Sequence, residues 1–149
     1  MTDDDTPGLV MPVLLASARS TYGATIRRDL MAAGFDDMPR LGPRLVGGLA
    51  RNGSHVGDFA AGLGTSKQAA SQLVDTMVAR GYVERTPDPD DRRRVVVTLT
   101  ERGRAAAHVV RHAVDAVDGE LIGRVGADRL DGAREVLEVL LELHPGRHG

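Results

Sequence analysis

The chain has 149 residues, 42% of them hydrophobic, no cysteine and a formal net charge of −2. That length suits one domain with a core of its own, and the missing thiols exclude disulfides, zinc–thiolate sites and thiol redox switches. No apolar run approaches the roughly 20 residues of a membrane span, and the acidic start Met1-Thr2-Asp3-Asp4-Asp5 lacks the charge and apolar core of a secretory leader, so a cytoplasmic location is expected.

Residues 11–33 read as a long helix, with Leu15, Ala18, Tyr22 and Ile26 near one face and Gly23 as the only interruption. In the next helical segment Pro43 forces a late start or a kink, and Gly47-Gly48 weakens it further. Val56, Phe59, Ala60 and Leu63 fall at i, i+3, i+4 and i+7, the spacing of a short amphipathic helix over 56–63. Gly62-Leu63-Gly64-Thr65 breaks it, and Ser66 is placed to cap a new helix whose Ala70, Leu73, Val74 and Met77 repeat that spacing. Lys67, Gln68, Ser71, Gln72 and Asp75 are left on its outer face, where Gln and Ser suit base edges or phosphates and Lys67 adds to the pull of a helix N-terminus on anions. Gly81 is the expected left-handed residue that ends this helix.

A hairpin comes next. Residues 82–85 make one short strand and residues 94–99 its β-branched partner, with the turn-forming run Thr86-Pro87-Asp88-Pro89-Asp90-Asp91 between them. Arg92 and Arg93 project from its tip, where guanidinium groups suit phosphates or a narrow minor groove. Thr100 caps a helix over 101–121, with Ala106, Val109, Val110, Ala113 and Val117 apolar. A last helix over 128–143 carries Leu130, Ala133, Leu137, Leu140 and Leu141 at helical spacing. The fold class expected is mainly α (α+β): a helix-turn-helix followed by a hairpin wing, between long terminal helices.

Phe59-Ala60-Ala61-Gly62-Leu63-Gly64, then Ser66 to Asp75, then Arg80-Gly81-Tyr82-Val83-Glu84-Arg85, lead into the pattern D-x-R-x-x-x-hydrophobic-x-L-T-x-x-G, here Asp91, Arg93, Val97, Leu99, Thr100 and Gly103. Over about residues 55–104 the chain resembles the MarR family of winged helix-turn-helix transcriptional regulators. The flanks match only in length and helical character. The resemblance implies a homodimer that binds double-stranded DNA at pseudo-palindromic operators. Ser66, Lys67, Gln68, Ser71 and Gln72 would enter the major groove, and Arg92 and Arg93 would stand at the wing, Arg93 in the minor groove and oriented by Asp91. It also implies a ligand-responsive repressor whose small-molecule effector is unknown, with no enzymatic activity and no cofactor. The single chain then divides into a DNA-binding lobe of about 39–104 and a helical dimerisation region of about 8–35 and 105–145. Neither terminal helix can bury its stripe in so small a core without a second chain.

The charges are distributed to match. Residues 39–104 hold 11 basic and 7 acidic side chains, while residues 1–38 hold 3 and 6 and residues 105–149 hold 5 and 8. The basic excess sits on the expected DNA-binding lobe, as counterion release requires. Of the 19 basic residues only Lys67 is a lysine.

Several rival readings are weaker. His108 and His112 are i and i+4 on one helix and could share a metal, which would make a metal-responsive regulator, with Asp36 and Asp37 as the nearest further ligands; no metal site is expected. Gly62 to Lys67 lacks the Ser or Thr that must follow the lysine of a nucleotide-binding loop, since Gln68 stands there. A winged-helix module that binds protein instead of DNA, as at the front of some methyltransferases, would need a catalytic domain after Gly149. Tyr22, Phe35, Met38, Arg40, Arg44 and His108 are the candidate lining of an effector pocket.

Overall fold

The computed structural model describes residues 10–52 and 65–143. Its elements are α1 (Met11–Ala32), α2 (Gly42–Asn52), α3 (Lys67–Ala79), β1 (Val83–Pro87), β2 (Val95–Leu99), α4 (Glu101–Val125) and α5 (Ala127–Glu142). This is a mainly helical fold with one two-stranded antiparallel sheet, the class expected. The short helix expected over 56–63 lies outside the described residues. The chain divides into two compact units, Met1–Ala113 and Val114–Gly149.

Local chemistry sets the ends of the elements in the first unit. α2 begins at Gly42, with Pro43 in its first turn, the place where a missing N–H costs no helical bond. The Ser66 hydroxyl caps α3 by accepting the Ala69 N–H at 3.1 Å. α1 and α3 both end in a glycine with positive φ, Gly34 at +85° and Gly81 at +74°. Past each glycine the chain folds back in a Schellman motif: the Phe35 N–H donates to the Leu30 carbonyl at 2.8 Å and the Tyr82 N–H to the Met77 carbonyl at 2.9 Å. Both motifs turn an aromatic side chain inward, and the two rings stand 6.1 Å apart.

The core they join is formed by Leu30 of α1, Leu45, Val46 and Leu49 of α2, Val74 and Met77 of α3, Val83 and Val97 of the hairpin, and Ala106, Ala107 and Val110 of α4, with Tyr82 fully buried among them. Small residues on α4 let that helix approach closely.

β1 pairs with β2 from Val83 opposite Leu99 to Pro87 opposite Val95. The first strand therefore starts one residue later and runs two residues further than its composition suggested. Pro87 is tolerated because the Asp88 N–H donates to the Arg94 carbonyl at 2.9 Å, which leaves its neighbour Pro87 at a position where the N–H would face away from the partner strand.

In the second unit, Arg134 of α5 reaches Asp118 near the end of α4 at 2.7 Å and Asp131 on its own helix at 2.8 Å. α5 has no buried residue. Val136, Leu137, Val139, Leu140, Leu141 and Leu143 are all exposed.

Candidate nucleic-acid interface

α3 presents two different faces. Ala70, Val74 and Met77 are buried, whereas Ser66, Lys67, Gln68, Ser71, Gln72 and Asp75 are exposed. Asp75 on that outer face meets Arg85 of β1 in an ion pair, tying α3 to the hairpin. Beside α3, the hairpin loop is fixed by its own acids: the Asp88 carboxylate accepts the Asp90 N–H at 2.9 Å and the Asp91 carboxylate accepts the Arg93 N–H at 3.0 Å, both side-chain turns of the Asx type. Arg92, Arg93 and Arg94 are exposed. Asp91 thus holds the backbone of Arg93, and the guanidinium it meets, at 3.9 Å, belongs to Arg94. Asp91 was expected to orient the Arg93 guanidinium on DNA; in the free chain the contact it makes with Arg93 is to the backbone.

A polar cluster not foreseen from the sequence closes the other end of α3. Arg102 in the first turn of α4 straddles Asp37, in the connection between α1 and α2, with its two terminal nitrogens 3.0 and 3.3 Å from the carboxylate oxygens. The same guanidinium donates to the carbonyl of Arg80, the C-cap of α3, and stacks 4.2 Å above the Tyr82 ring. The Tyr82 hydroxyl donates to the Asp37 carboxylate, and the Arg80 guanidinium donates to the Asp37 carbonyl. The Tyr82 hydroxyl first of all, and the Arg102 guanidinium after it, hold the Asp37 carboxyl below its ordinary value against an opposing effect of burial. Burial, followed by the bond to Asp37, pushes the Tyr82 phenol up to about 12.

Residues 36–94 match the family model described as MarR family. Over that span the chain is similar to the MarR family. A curated relative, the transcriptional activatory protein BadR of Rhodopseudomonas palustris, is 37% identical over 84 residues, 53% of this chain and 48% of the relative, so the match spans about half the relative's length. Among solved structures, a MarR family transcriptional regulator from Silicibacter pomeroyi superposes with a TM-score of 0.69 at 25% identity, over 89% of this chain and 86% of that one. Apo MarR from E. coli gives 0.64 at 21% identity, over 89% and 98%. The second likeness is one of fold.

The MarR-type pattern L-T-x-x-G has a physical basis here. The Thr100 hydroxyl accepts the Gly103 N–H at 3.0 Å and donates to the Gly81 carbonyl at 2.6 Å, capping α4 and docking it on the end of the α3 motif. A Cβ on Gly103 would lie 1.9 Å from the Tyr82 carbonyl oxygen, so no other residue allows that approach. The next helical turns of α4 face an open cleft of about 590 Å³, lined by Asp29, Ala32 and Ala33 of the α1 end and by Ala105, His108, Val109 and His112. Of the six side chains expected to line an effector pocket, His108 is the one that lines this cleft. Phe35 and Met38 pack against the core instead, because the Schellman turn swings the chain after Gly34 inward, while Tyr22, Arg40 and Arg44 are absent from the lining. His108 and His112 do share the cleft. Among the described residues no three histidines or carboxylates stand close enough to hold a metal ion, and Asp37, the further ligand suggested by sequence, is committed to Tyr82 and Arg102. No helix among the described residues is long and apolar enough to cross a membrane.

Proposed function

We propose that this protein is a homodimeric, sequence-specific DNA-binding regulator that reads an inverted repeat through α3 and the wing and answers to a small molecule. The observation that carries this reading is the joint exposure of Ser66, Lys67, Gln68, Ser71 and Gln72 on one side of α3, beside a wing whose Arg92 and Arg93 project. Glutamines present paired donors and acceptors to base edges, and the arginines supply charge for phosphates or the minor groove. The dimer is supported by apolar residues that are exposed among the described residues: Val10, Met11, Val13 and Leu14 at the start of α1, and the leucine and valine face of α5. The cleft beside His108 and His112 is the place for the effector, because its mixed apolar and titratable lining suits a small polar organic molecule.

Sedimentation at micromolar concentration and gel shifts on duplexes selected from a random pool test the reading. The expected result is a dimer selecting inverted repeats with half-sites about one helical turn, roughly 34 Å, apart. A monomer that shifts no duplex at low salt refutes it. The sequence reading favours repression, whereas the printed name of the R. palustris relative favours activation. Transcript levels at the bound promoter, with and without the gene, separate these: a rise on deletion means repression and a fall means activation.

A further inference from the structure

The cluster around Asp37 joins three parts of the fold that are far apart in sequence: the connection between α1 and α2, the C-cap of α3, and the first turn of α4. Its charged pair is half exposed, with Arg102 and Asp37 side chains at 38% and 41%, while Tyr82 is buried. An ion pair with that exposure adds little to global stability. Nevertheless one carboxylate receives the Tyr82 hydroxyl and both ends of the Arg102 guanidinium, and the backbone carbonyl of the same residue receives Arg80. Arg102 in turn occupies the carbonyl of Arg80, one of the unpaired acceptors left at a helix C-terminus. The first two turns of α3 carry the proposed base-reading side chains; the Ser66 cap, the buried face of Ala70, Val74 and Met77 and the Asp75–Arg85 pair hold the helix on the core, which leaves tilting over that face to be limited at its C-terminal end.

We propose that Asp37 is a positioning residue for DNA recognition: through Arg102, Tyr82 and Arg80 it fixes the C-terminal end of α3 and so aims the outer face of that helix. The proposal rests on the reading of α3 as the DNA-recognition helix. Asp37 itself touches no DNA in this account, and its effect is on discrimination between sequences. A pivoting helix still meets phosphates through Lys67 and the wing arginines, whereas base contacts need the side chains placed to within a few tenths of an ångström.

The test compares wild type with Asp37→Asn and Arg102→Gln, at two temperatures well below thermal unfolding, on a duplex that the wild type selects from a random pool and on a scrambled duplex. The expected result is a loss of about tenfold in the ratio of specific to scrambled affinity, which is 1.4 kcal/mol, with scrambled binding unchanged. The double variant should lose no more than the worse single one, since both break the same contact. Asp37→Glu, which restores the charge, should recover part of the ratio. Hydrogen exchange should quicken at the amides of residues 78–82 in Asp37→Asn. An unchanged ratio overturns the proposal, as does an equal loss on both duplexes that follows the drop in melting temperature, which is the mark of a merely structural pair. If the wild type itself fails to distinguish the duplexes, the reading of α3 falls and this inference with it.

Discussion

Thr100, Gly103 and Tyr82 form a small joint in which each residue type is required by the one it meets. Thr100→Ala removes a helix cap and should cost about 1–2 kcal/mol of stability by denaturant unfolding. Gly103→Ala drives a methyl group into the Tyr82 carbonyl and should cost more, about 3 kcal/mol, unless the start of α4 shifts away. The Tyr82–Asp37 bond gives this joint a pH signature at both extremes. The Tyr82 phenol is raised to about 12, so its contribution to stability is complete below the unfolded value of about 10 and is lost as pH rises through the folded value. The depressed Asp37 carboxyl acts in the other direction: its contribution is present above about 3.9 and is lost as pH falls through the folded value. Subtracting an absorbance titration of Tyr82→Phe from that of the wild type should isolate a phenolate appearing near pH 12; appearance near 10 would mean that the phenol is neither buried nor bonded to Asp37. At the wing tip, Arg93→Ala should lower the slope of log affinity against log salt by about one, most of all on sites with A·T-rich flanks where the minor groove is narrow. Asp91→Ala should give a milder loss, through the loop backbone it holds.

Among the elements, α3 and α5 put the amphipathic pattern to opposite uses. α3 buries Ala70, Val74 and Met77 within its own unit, and its outer residues can be changed without touching the core. Gln68→Ala and Gln72→Ala should therefore leave the melting temperature in place while relaxing sequence preference by roughly 1–3 kcal/mol for a bidentate base contact. Equal losses on specific and random DNA would assign both residues to the backbone. α5 leaves its stripe in the open, so Leu137→Glu with Leu140→Glu should raise the dimer dissociation constant by orders of magnitude, read by sedimentation over a concentration series. An unchanged constant would place the interface elsewhere. The elements were legible wherever the deciding chemistry lay within four residues along the chain: Ser66 capping Ala69, Gly81 reversing α3, Thr100 capping Gly103. β1 was read short because Thr86 and Pro87 look like turn residues, and only the register with Val95 and Val96 shows that a proline at that position costs no ladder bond.

At the scale of the molecule, what the sequence could not disclose is long-range. Asp37 and Arg102 are 65 positions apart and Asp37 and Tyr82 are 45 apart, and no periodicity links them, so Asp37 looked like a spare carboxylate for a metal. The cleft was half legible for the same reason: His108 and His112 share a helical face by spacing alone, but their neighbours Asp29, Ala32 and Ala33 come from a helix more than seventy residues earlier. The charge pattern was fully legible, because the basic excess of residues 39–104 is a property of composition. Lys67, exposed at the head of α3, is the only lysine of the chain. Apart from the terminal amine, a reagent that acylates amines therefore finds a single target, at the end of the helix proposed to enter the groove. A dye attached there would report occupancy of the groove directly, without introducing a cysteine into a protein that has none.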